Sequence, residues 1–258
     1  MIRRDLGECV TSSTAFKIVP LGVGDAFSEL YYSSGFWLEY DGCRVLVDCA
    51  HPIRKSMREA SIQSGCDINV SSLDAVILTH LHADHASGLE GLGFYAYYVA
   101  RKSVTLLAHE DVMRDIWPRH LEAVMAPVCD PPEEQRQFDD FFKSQVMAED
   151  VKNSFGPFLI ECRRTLHHVP TFALRITAGE RVFGYSADTS FDESLIDWLS
   201  QADVFAHETN GGSHTPYEKL AALPEAVRAK MRLIHYPDNF NKAESVITPL
   251  EQGELIVL

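Results

Sequence analysis

The chain lacks several features that would define its class. No run of apolar residues approaches the roughly 18 that a membrane span requires. The start, MIRRDLGECVTSSTAF, has two Arg but no apolar segment typical of a signal peptide. The six Cys form no CxxC pair and have no regular spacing, which is unlike a disulfide framework or a cysteine zinc site. We therefore expect a cytoplasmic protein with reduced, mostly buried thiols and no membrane partner.

Basic residues are also scarce. The 258 residues include 23 Lys and Arg against 37 Asp and Glu, so the formal net charge is −14. A protein that binds long nucleic acid usually needs a basic surface to displace counterions from the phosphates. The composition therefore argues against a long nucleic acid as partner, although it does not exclude a local basic patch or a metal site.

The pattern of apolar residues predicts an α/β fold. Short β-rich runs alternate with helical patterns, and we find no internal repeat, low-complexity tract or linker. We predict one domain over residues 1–258, with an N-terminal extension at 1–15. The strand predictions include FKIVPL, a hairpin around Asp41-Gly42, AVILTH, VTLLAH, FLIECRRTL, FALRIT, RVFGYSAD, DVFAHE, RLIHY and LIVL.

The stretch 126–157 departs from this alternation. It contains Pro127, Pro131 and Pro132, followed by an acidic and aromatic run. Two interpretations stay open, a lid over a site and an irregular connector whose aromatic residues pack on the core.

The strongest chemical signal is the segment Thr79-His80-Leu81-His82-Ala83-Asp84-His85, which follows the apolar run AVIL. His80 and His82 are two residues apart, so at the end of a strand both side chains leave on one face. Asp84 and His85 are adjacent, and a following turn can direct them elsewhere. One loop can therefore supply ligands to two metal centres, and imidazole with carboxylate favours zinc, with manganese or iron as alternatives.

Further metal-ligand residue types occur at the ends of later predicted strands. They are His167 and His168 after FLIECRRTL, Asp188 at the end of RVFGYSAD, and His235 at the end of RLIHY. Strand ends meet at one edge of a sheet, so we expect these residues to complete the site.

The quoted motifs resemble the metallo-β-lactamase fold superfamily, and within it the branch of ribonuclease Z and the related cyclic phosphodiesterases. The resemblance covers about residues 16–258 and includes LGVGDAFS, LVDCA, GYSADT and ADVFAHET. It implies a single-domain, four-layer αββα sandwich. His167, eight residues before Arg175-Ile176, matches the third metal His of that branch, with His168 as the alternative.

The resemblance also implies the ligand set and the residues around it. One divalent ion is held by His80, His82 and His167, a second by Asp84, His85 and His235, and Asp188 bridges the two. Asp48 and Glu208 lie next to the ligands, with Asp48 orienting the ligand loop. His214 matches a His that ribonuclease Z uses near the scissile phosphate, so Asp84 and His214 are the candidate catalytic residues.

These expectations lead to a functional hypothesis. Two divalent ions can generate a bridging hydroxide and stabilise the charge of a phosphodiester transition state. The chain lacks the basic, glycine-rich arm with which ribonuclease Z holds transfer RNA, so we expect a small or cyclic phosphodiester as the anionic substrate. A lactone or thioester hydrolase, or a redox or biosynthetic enzyme on the same fold, stays as the alternative. A homodimer is expected because dimers are common in the branch, while the roles of His51, His168 and His207 stay open.

Overall fold

The structure is a computed structural model that describes residues 15–128 and 135–258. Its first sheet has seven strands in the order β13-β1-β2-β3-β4-β5-β6. The strands β3 to β6 run parallel, and the others pair antiparallel. The first six are β1 (Lys17–Gly22), β2 (Gly35–Tyr40), β3 (Cys43–Val47), β4 (Ala75–Ile77), β5 (Val104–His109) and β6 (Phe142–Met147).

The second sheet has six strands in the order β12-β11-β10-β9-β8-β7. Here β10, β11 and β12 are parallel, and the remaining pairs are antiparallel. The strands are β7 (Asn153–Phe155), β8 (Phe158–Arg164), β9 (Phe172–Ala178), β10 (Arg181–Tyr185), β11 (Val204–Glu208) and β12 (Met231–Ile234); β13 (Ile256–Val257) closes the chain in the first sheet.

Buried aromatic side chains join the two sheets. The Phe36 ring on β2 lies 5.1 Å from the rings of Phe183 and Tyr185 on β10, measured between centroids. A second contact joins Phe16, which precedes β1, to Phe158 on β8, with ring centroids 5.8 Å apart. All five side chains are fully or almost fully buried. The apolar faces of the sheets therefore pack against each other to form the core.

Helices cover the sheets, as the sequence predicted. Helix α1 packs against β1, and α4 packs against β5 and β6. The α-helices are α1 (Ile53–Ser64), α2 (Ala83–Ala86), α3 (Leu89–Phe94), α4 (Glu110–Ile116), α5 (Glu122–Met125), α6 (Phe138–Phe141), α7 (Glu193–Leu199), α8 (Tyr217–Ala221) and α9 (Glu225–Arg228). Two π-helical segments, Tyr95–Ala100 and Trp117–Leu121, and two 3₁₀ turns, Val70–Ser72 and Lys242–Glu244, complete the regular structure of the described residues.

In the described part of 126–157, the side chains of Phe141 and Phe142 are buried in the core, and the segment forms regular structure where a lid or an irregular connector was expected. Residues 138–155 form α6, β6 and β7, and β6 is a full member of the first sheet because all six of its residues pair with β5. Residues 129–134 of this stretch lie outside the described residues, as does all but the last residue of the expected N-terminal extension. The single-domain assignment stays a prediction.

Two further findings concern membrane-spanning helices and the state of the cysteines. In the described residues no helix is long and apolar enough to span a membrane. Four Cys lie in those residues, and all four thiols are unpaired; Cys49 and Cys162 are buried. The other two, Cys9 and Cys129, lie outside the described residues.

The loops that follow the parallel strands gather at one edge of the sandwich. Three residues in these loops, Asp48, Ala187 and His235, have positive φ angles of 59°, 49° and 57°. A left-handed backbone is costly for any residue with a Cβ, and it persists where the surrounding structure fixes it. All three lie at or next to predicted site residues.

Candidate metal centre

The loop after β4 changes direction at His82, which precedes α2. The backbone at His82 is extended, with φ −63° and ψ 152°, and the short helix α2 then carries Asp84 and His85. Within α2 the amide of His85 donates to the carbonyl of His82 at 3.0 Å. One segment therefore points His80 and His82 in one direction and Asp84 and His85 in another.

A close contact between two backbone segments fixes the C-terminal end of this loop at Gly88. The amide of Gly88 donates to the carbonyl of Cys49 at 2.7 Å. A Cβ at position 88 would lie 2.8 Å from that carbonyl oxygen and 2.9 Å from the one of Ala50. Only glycine permits the backbones to approach this closely.

The first cluster brings together three imidazoles and one carboxylate, from His80, His82, His167 and Asp188. One potential ligand atom from each lies within 4.8 Å of all the others. His82 Nδ1 is 3.1 Å from His80 Nε2 and 3.2 Å from His167 Nε2. Asp188 Oδ2 is 3.6 Å from His80 Nε2. Three imidazoles and one carboxylate form a donor set that suits zinc.

The second cluster contains Asp84, His85, His235 and again Asp188, whose ligand atoms also lie within 4.8 Å of one another. Asp84 Oδ2 is 3.2 Å from His235 Nε2 and 3.4 Å from His85 Nε2. The other oxygen of Asp188, Oδ1, is 3.3 Å from His85 Nε2. The two oxygens of the Asp188 carboxylate thus face different clusters, as a ligand shared between two ions would.

Unpaired polar atoms in the clusters fit bound cations. His85 Nε2 and Asp188 Oδ1 are buried and, although they lie 3.3 Å apart, they form no hydrogen bond with each other or with another described residue. Such atoms are rare in folded proteins because their desolvation is costly without a partner. Convergent imidazole and carboxylate groups with unpaired atoms match the coordination that a divalent metal ion requires.

Burial sets the protonation of the first cluster. Desolvation lowers the pKa of His80 to about 3 and that of His167 to about 4. Both imidazoles are therefore neutral near pH 7, which is the form that ligates a metal.

In the second cluster, nearby carboxylates outweigh burial and raise the pKa values of the histidines. Burial disfavours the charged form of His235, but the carboxylates of Asp188 and Asp84 outweigh it and raise the pKa to about 9. Burial also opposes charge on His85, and there Asp188 and Asp48 outweigh it and raise the pKa. These carboxylates stabilise positive charge at this position.

Asp48, at the end of β3, contacts the ligand loop from behind. Its Oδ2 is 2.8 Å from Nδ1 of His85, and its Oδ1 accepts hydrogen bonds from the amide and hydroxyl of Thr79, both at 2.9 Å. A carboxylate on Nδ1 leaves Nε2 directed at the second cluster. Thr79 was not among the predicted site residues, although its position directly before His80 was a signal for it.

Glu208 and His214 form a hydrogen-bonded pair beside the clusters. Glu208 Oε1 is 2.8 Å from His214 Nδ1 and accepts the amide of Thr189 at 2.8 Å. This hydrogen bond raises the pKa of His214, and burial raises the pKa of Glu208. The ring of His214 lies 5.3 Å from that of His235 and 5.6 Å from that of His167.

Comparison with known proteins identifies the family. A family model described as "Anti-Pycsar protein Apyc1" matches residues 16–255. The chain belongs to the anti-Pycsar protein Apyc1 family.

A relative of that name from Bacillus phage vB_BveM-Goe7 is 28% identical over 263 residues, covering 94% of this chain and 98% of the relative. Among solved structures, the metallo-β-lactamase fold protein YhfI from Bacillus subtilis matches with a TM-score of 0.74 at 20% identity, covering 94% of this chain and 99% of YhfI. A structure described as a new diphosphatase from the PhnP family has a TM-score of 0.71 at 16% identity. The match covers 93% of this chain and 97% of the diphosphatase chain. The predicted fold is thereby confirmed.

In this Apyc1-family chain, the remaining histidines lie outside the two four-residue clusters. His168 is exposed, and its ring is 4.6 Å from that of His82, so the structure places His167 and not His168 in the first cluster. His51 is exposed. His207 is buried and its Nδ1 hydrogen-bonds the carbonyl of Glu208 at 2.8 Å.

One buried neighbour of the site carboxylates, Tyr185, was not predicted from the sequence. Tyr185 is fully buried, and its hydroxyl has no hydrogen-bond partner among the described residues. Burial raises its pKa well above the ordinary value, and the carboxylates of Asp48 and Asp188 add to the effect. The residue reads as a core aromatic of β10 in the sequence, so no local signal marks its proximity to these carboxylates.

Proposed function

We propose that this chain is a dinuclear, metal-dependent phosphodiesterase that hydrolyses a small cyclic phosphodiester. The observation that carries the proposal is the sharing of Asp188 between two clusters, one with three His and one with two His and Asp84. Sites with two divalent ions commonly serve phosphoryl-group hydrolysis, because both the attacking and the leaving oxygen need charge stabilisation.

The seven clustered residues would hold the two ions, which we propose to be zinc, with manganese or iron as alternatives. When bound, two divalent ions supply Lewis acidity and lower the pKa of a coordinated water toward neutrality. Asp48 orients His85 through its contact with Nδ1, which keeps Nε2 available as a ligand atom. We keep Asp84 as a candidate catalytic residue because it lies in the second cluster and stays partly accessible.

We assign to His214 the proton of the leaving group. Its Nδ1 is engaged by Glu208, so Nε2 is the atom left to contact a substrate. A protonated His214 can donate from Nε2 to the departing alkoxide, and the raised pKa favours that protonated form. Glu208 fixes the orientation of the ring, since its other contact, the Thr189 amide, holds the carboxylate in place.

Charge and family membership support a small substrate. Two divalent ions against Asp84 and Asp188 would make the site locally positive despite the net charge of −14. The family is that of anti-Pycsar proteins, and a neighbour in structure is a diphosphatase. We take cyclic nucleotides as the first substrates to test, do not expect long nucleic acid as a substrate, and retain the homodimer and the cytoplasmic location as predictions.

The deciding experiment combines metal analysis with hydrolysis assays. We expect about two divalent ions per chain and cleavage of a cyclic nucleotide that is lost on chelation and restored by added metal. His82→Ala should abolish cleavage, whereas His120→Gln should retain it, because His120 is outside both clusters and Gln can still donate to the carbonyl of Ala86.

The runner-up activities give different results in the same assays. Metal-loaded protein that opens lactones or thioesters but cleaves no phosphodiester would overturn the proposal in favour of another hydrolase. Bound iron with visible absorbance and no hydrolysis would favour redox chemistry.

A further inference from the structure

Asn210 is followed directly by Gly211 in the loop between β11 and α8. Asn210 is half-buried, whereas residues 211–213 are exposed. Gly211 has no side chain to shield its amide nitrogen, and an added Cβ would meet nothing within 4 Å. Residue 211 therefore lies in open space next to a partly fixed Asn.

Two hydrogen bonds hold the side chain of Asn210 against the Gly211 amide. Its Nδ2 donates to Asp25 Oδ2 at 2.8 Å, and its Oδ1 accepts from the amide of Gly211 at 2.7 Å. Only this orientation satisfies both partners, because a carboxylate accepts and an amide N–H donates. A C=O bond is about 1.2 Å long, so Cγ of Asn210 lies within about 3.9 Å of the Gly211 nitrogen. Atoms poised to react are about 3–3.5 Å apart, so a small rotation of the side-chain amide brings these two into range.

The reaction that this arrangement favours is deamidation. The Gly211 nitrogen forms a bond to Cγ of Asn210 and releases its proton to water. The bond between Cγ and Nδ2 breaks, and Nδ2 takes up a proton from water and leaves as ammonia. One water molecule then opens the resulting cyclic imide at either carbonyl. The products are Asp at position 210 and isoaspartate, in which the main chain runs through Cγ and is longer by one methylene group.

Both products disturb the contact between two loops. Asp25 is buried at the start of the loop 25–32, where its Oδ1 accepts from the amide of Phe27 at 2.9 Å. Deamidation replaces the donor Nδ2 by a carboxylate oxygen, so two like charges face each other where a hydrogen bond was. On the other side, the amide of Asn210 donates to the carbonyl of Thr215 at 3.1 Å, which closes a short segment around His214. Isoaspartate lengthens the main chain inside that segment.

We propose that Asn210 is a site of spontaneous deamidation, and that the added charge separates the loop 25–32 from the segment that carries His214. The reaction consumes only water and is not reversed by hydrolysis. It therefore makes the age of the chain a determinant of its structure. The inference does not depend on the proposed phosphodiesterase function.

Asn69 is a matched control within the same molecule. It is also half-buried, and its Nδ2 also donates to a carboxylate, that of Asp67, at 2.6 Å. However, its Oδ1 accepts from the amide of Ser72 at 3.1 Å, and the residue that follows it, Val70, is buried. The nitrogen after Asn69 is therefore shielded by a branched side chain.

The test incubates the folded, full-length protein at mildly alkaline pH and measures isoaspartate and ammonia release over time. Tryptic peptide 182–219 contains Asn210 and no other Asn, and peptide 59–101 contains Asn69 alone, so the two sites are measured separately. We expect Asn210 to react about 100-fold faster than Asn69, the factor that positioning of reacting atoms typically contributes. A rate at Asn210 no higher than that at Asn69 would overturn the site. So would a rate that rises about 100-fold when the chain is unfolded in urea, because the fold would then be protective.

Two glycine variants test the open amide. Gly211→Ala adds a Cβ beside the attacking nitrogen and should slow the reaction at Asn210, and it fits because that Cβ would meet nothing within 4 Å. Gly91→Ala is the control, because Gly91 is exposed on α3 and its Cβ would also meet nothing within 4 Å. Equal rates in the two variants would contradict attack by the Gly211 nitrogen.

A charge exchange tests the consequence for the loops. Asn210→Asp reproduces the charge of the product and should lower the urea midpoint of unfolding. Adding Asp25→Asn to the same chain exchanges donor and acceptor and should restore the midpoint. An unchanged midpoint in Asn210→Asp, or a loss that Asp25→Asn does not recover, would overturn the separation of the two loops. None of these measurements uses enzymatic activity, so failure of the proposed function would leave their outcome intact.

Discussion

Asp48→Asn removes one charge next to the ligand loop and almost nothing else. The carboxylate is buried, and it contacts Nδ1 of His85 and both the amide and the hydroxyl of Thr79. Asn has nearly the same shape as Asp and also tolerates the left-handed backbone that residue 48 adopts at φ 59°. The substitution therefore tests the carboxylate rather than the backbone.

The expected effect follows from the hydrogen-bond roles. A carboxylate can only accept, so it requires a proton on Nδ1 of His85 and leaves Nε2 free for a metal. The amide of Asn can present N–H groups to Nδ1, which favours the tautomer that carries its proton on Nε2. Loss of such a partner typically lowers metal affinity 10- to 100-fold, or about 1.4 to 2.8 kcal/mol.

The assay is a zinc titration in competition with a chromophoric chelator, on protein first stripped of metal. Asp41→Asn serves as the matched control, because Asp41 is exposed in the β2–β3 turn and has a similar φ of 47°. We expect weaker zinc binding only in Asp48→Asn. Indistinguishable affinities in the two variants, with both chains folded by circular dichroism, would refute the role that we assign to the Asp48–His85 contact.

Two stability predictions concern the frame around the site. Gly88→Ala should destabilise the chain by about 1–3 kcal/mol in urea denaturation, because its Cβ would lie 2.8 Å from the carbonyl oxygen of Cys49. Gly91→Ala, in open space on α3, should be neutral or slightly stabilising, and equal effects at the two positions would contradict the close approach. Phe36→Ala should cost about 3–5 kcal/mol, because the ring fills the space between the sheets beside Phe183 and Tyr185. Phe27→Ala, at a side chain that is 90% exposed, should leave the free energy of unfolding almost unchanged; a similarly small loss for Phe36→Ala would argue against the described packing.

The site was largely predictable because its strongest part is contiguous. Four of the seven clustered residues lie in the loop from His80 to His85, directly after a buried strand, so the pattern is visible without any tertiary information. Asp188 and His235 follow the parallel strands β10 and β12, which end at a common edge. His167 follows β8, which ends at the same edge because β8 and β10 both pair antiparallel with β9. Adjacent His167 and His168 could not be separated in this way, because only the path of the chain decides which of two neighbours faces the cluster.

The errors arose where long-range packing overrides local pattern. The residues of β6 lie inside the stretch that was expected to be an excursion, yet they pair along their full length with β5, which lies more than thirty positions earlier in the chain. A second contact between the two sheets is formed by His109, which is buried and stacks on Phe172 with ring centroids 4.0 Å apart. Neither pairing has a signal within a short window of sequence.

The residues of the second cluster are far apart along the chain, and this has a consequence for folding. Asp84 and His235 meet across 151 positions, and they come from different sheets. Closing a loop of that length is slow, so contacts of this kind form late. During synthesis, the four clustered residues in the loop from His80 to His85 leave the ribosome long before His235 does. The complete donor set should therefore arise only after β12 has joined the second sheet, and selective metal uptake would report that the chain has finished folding.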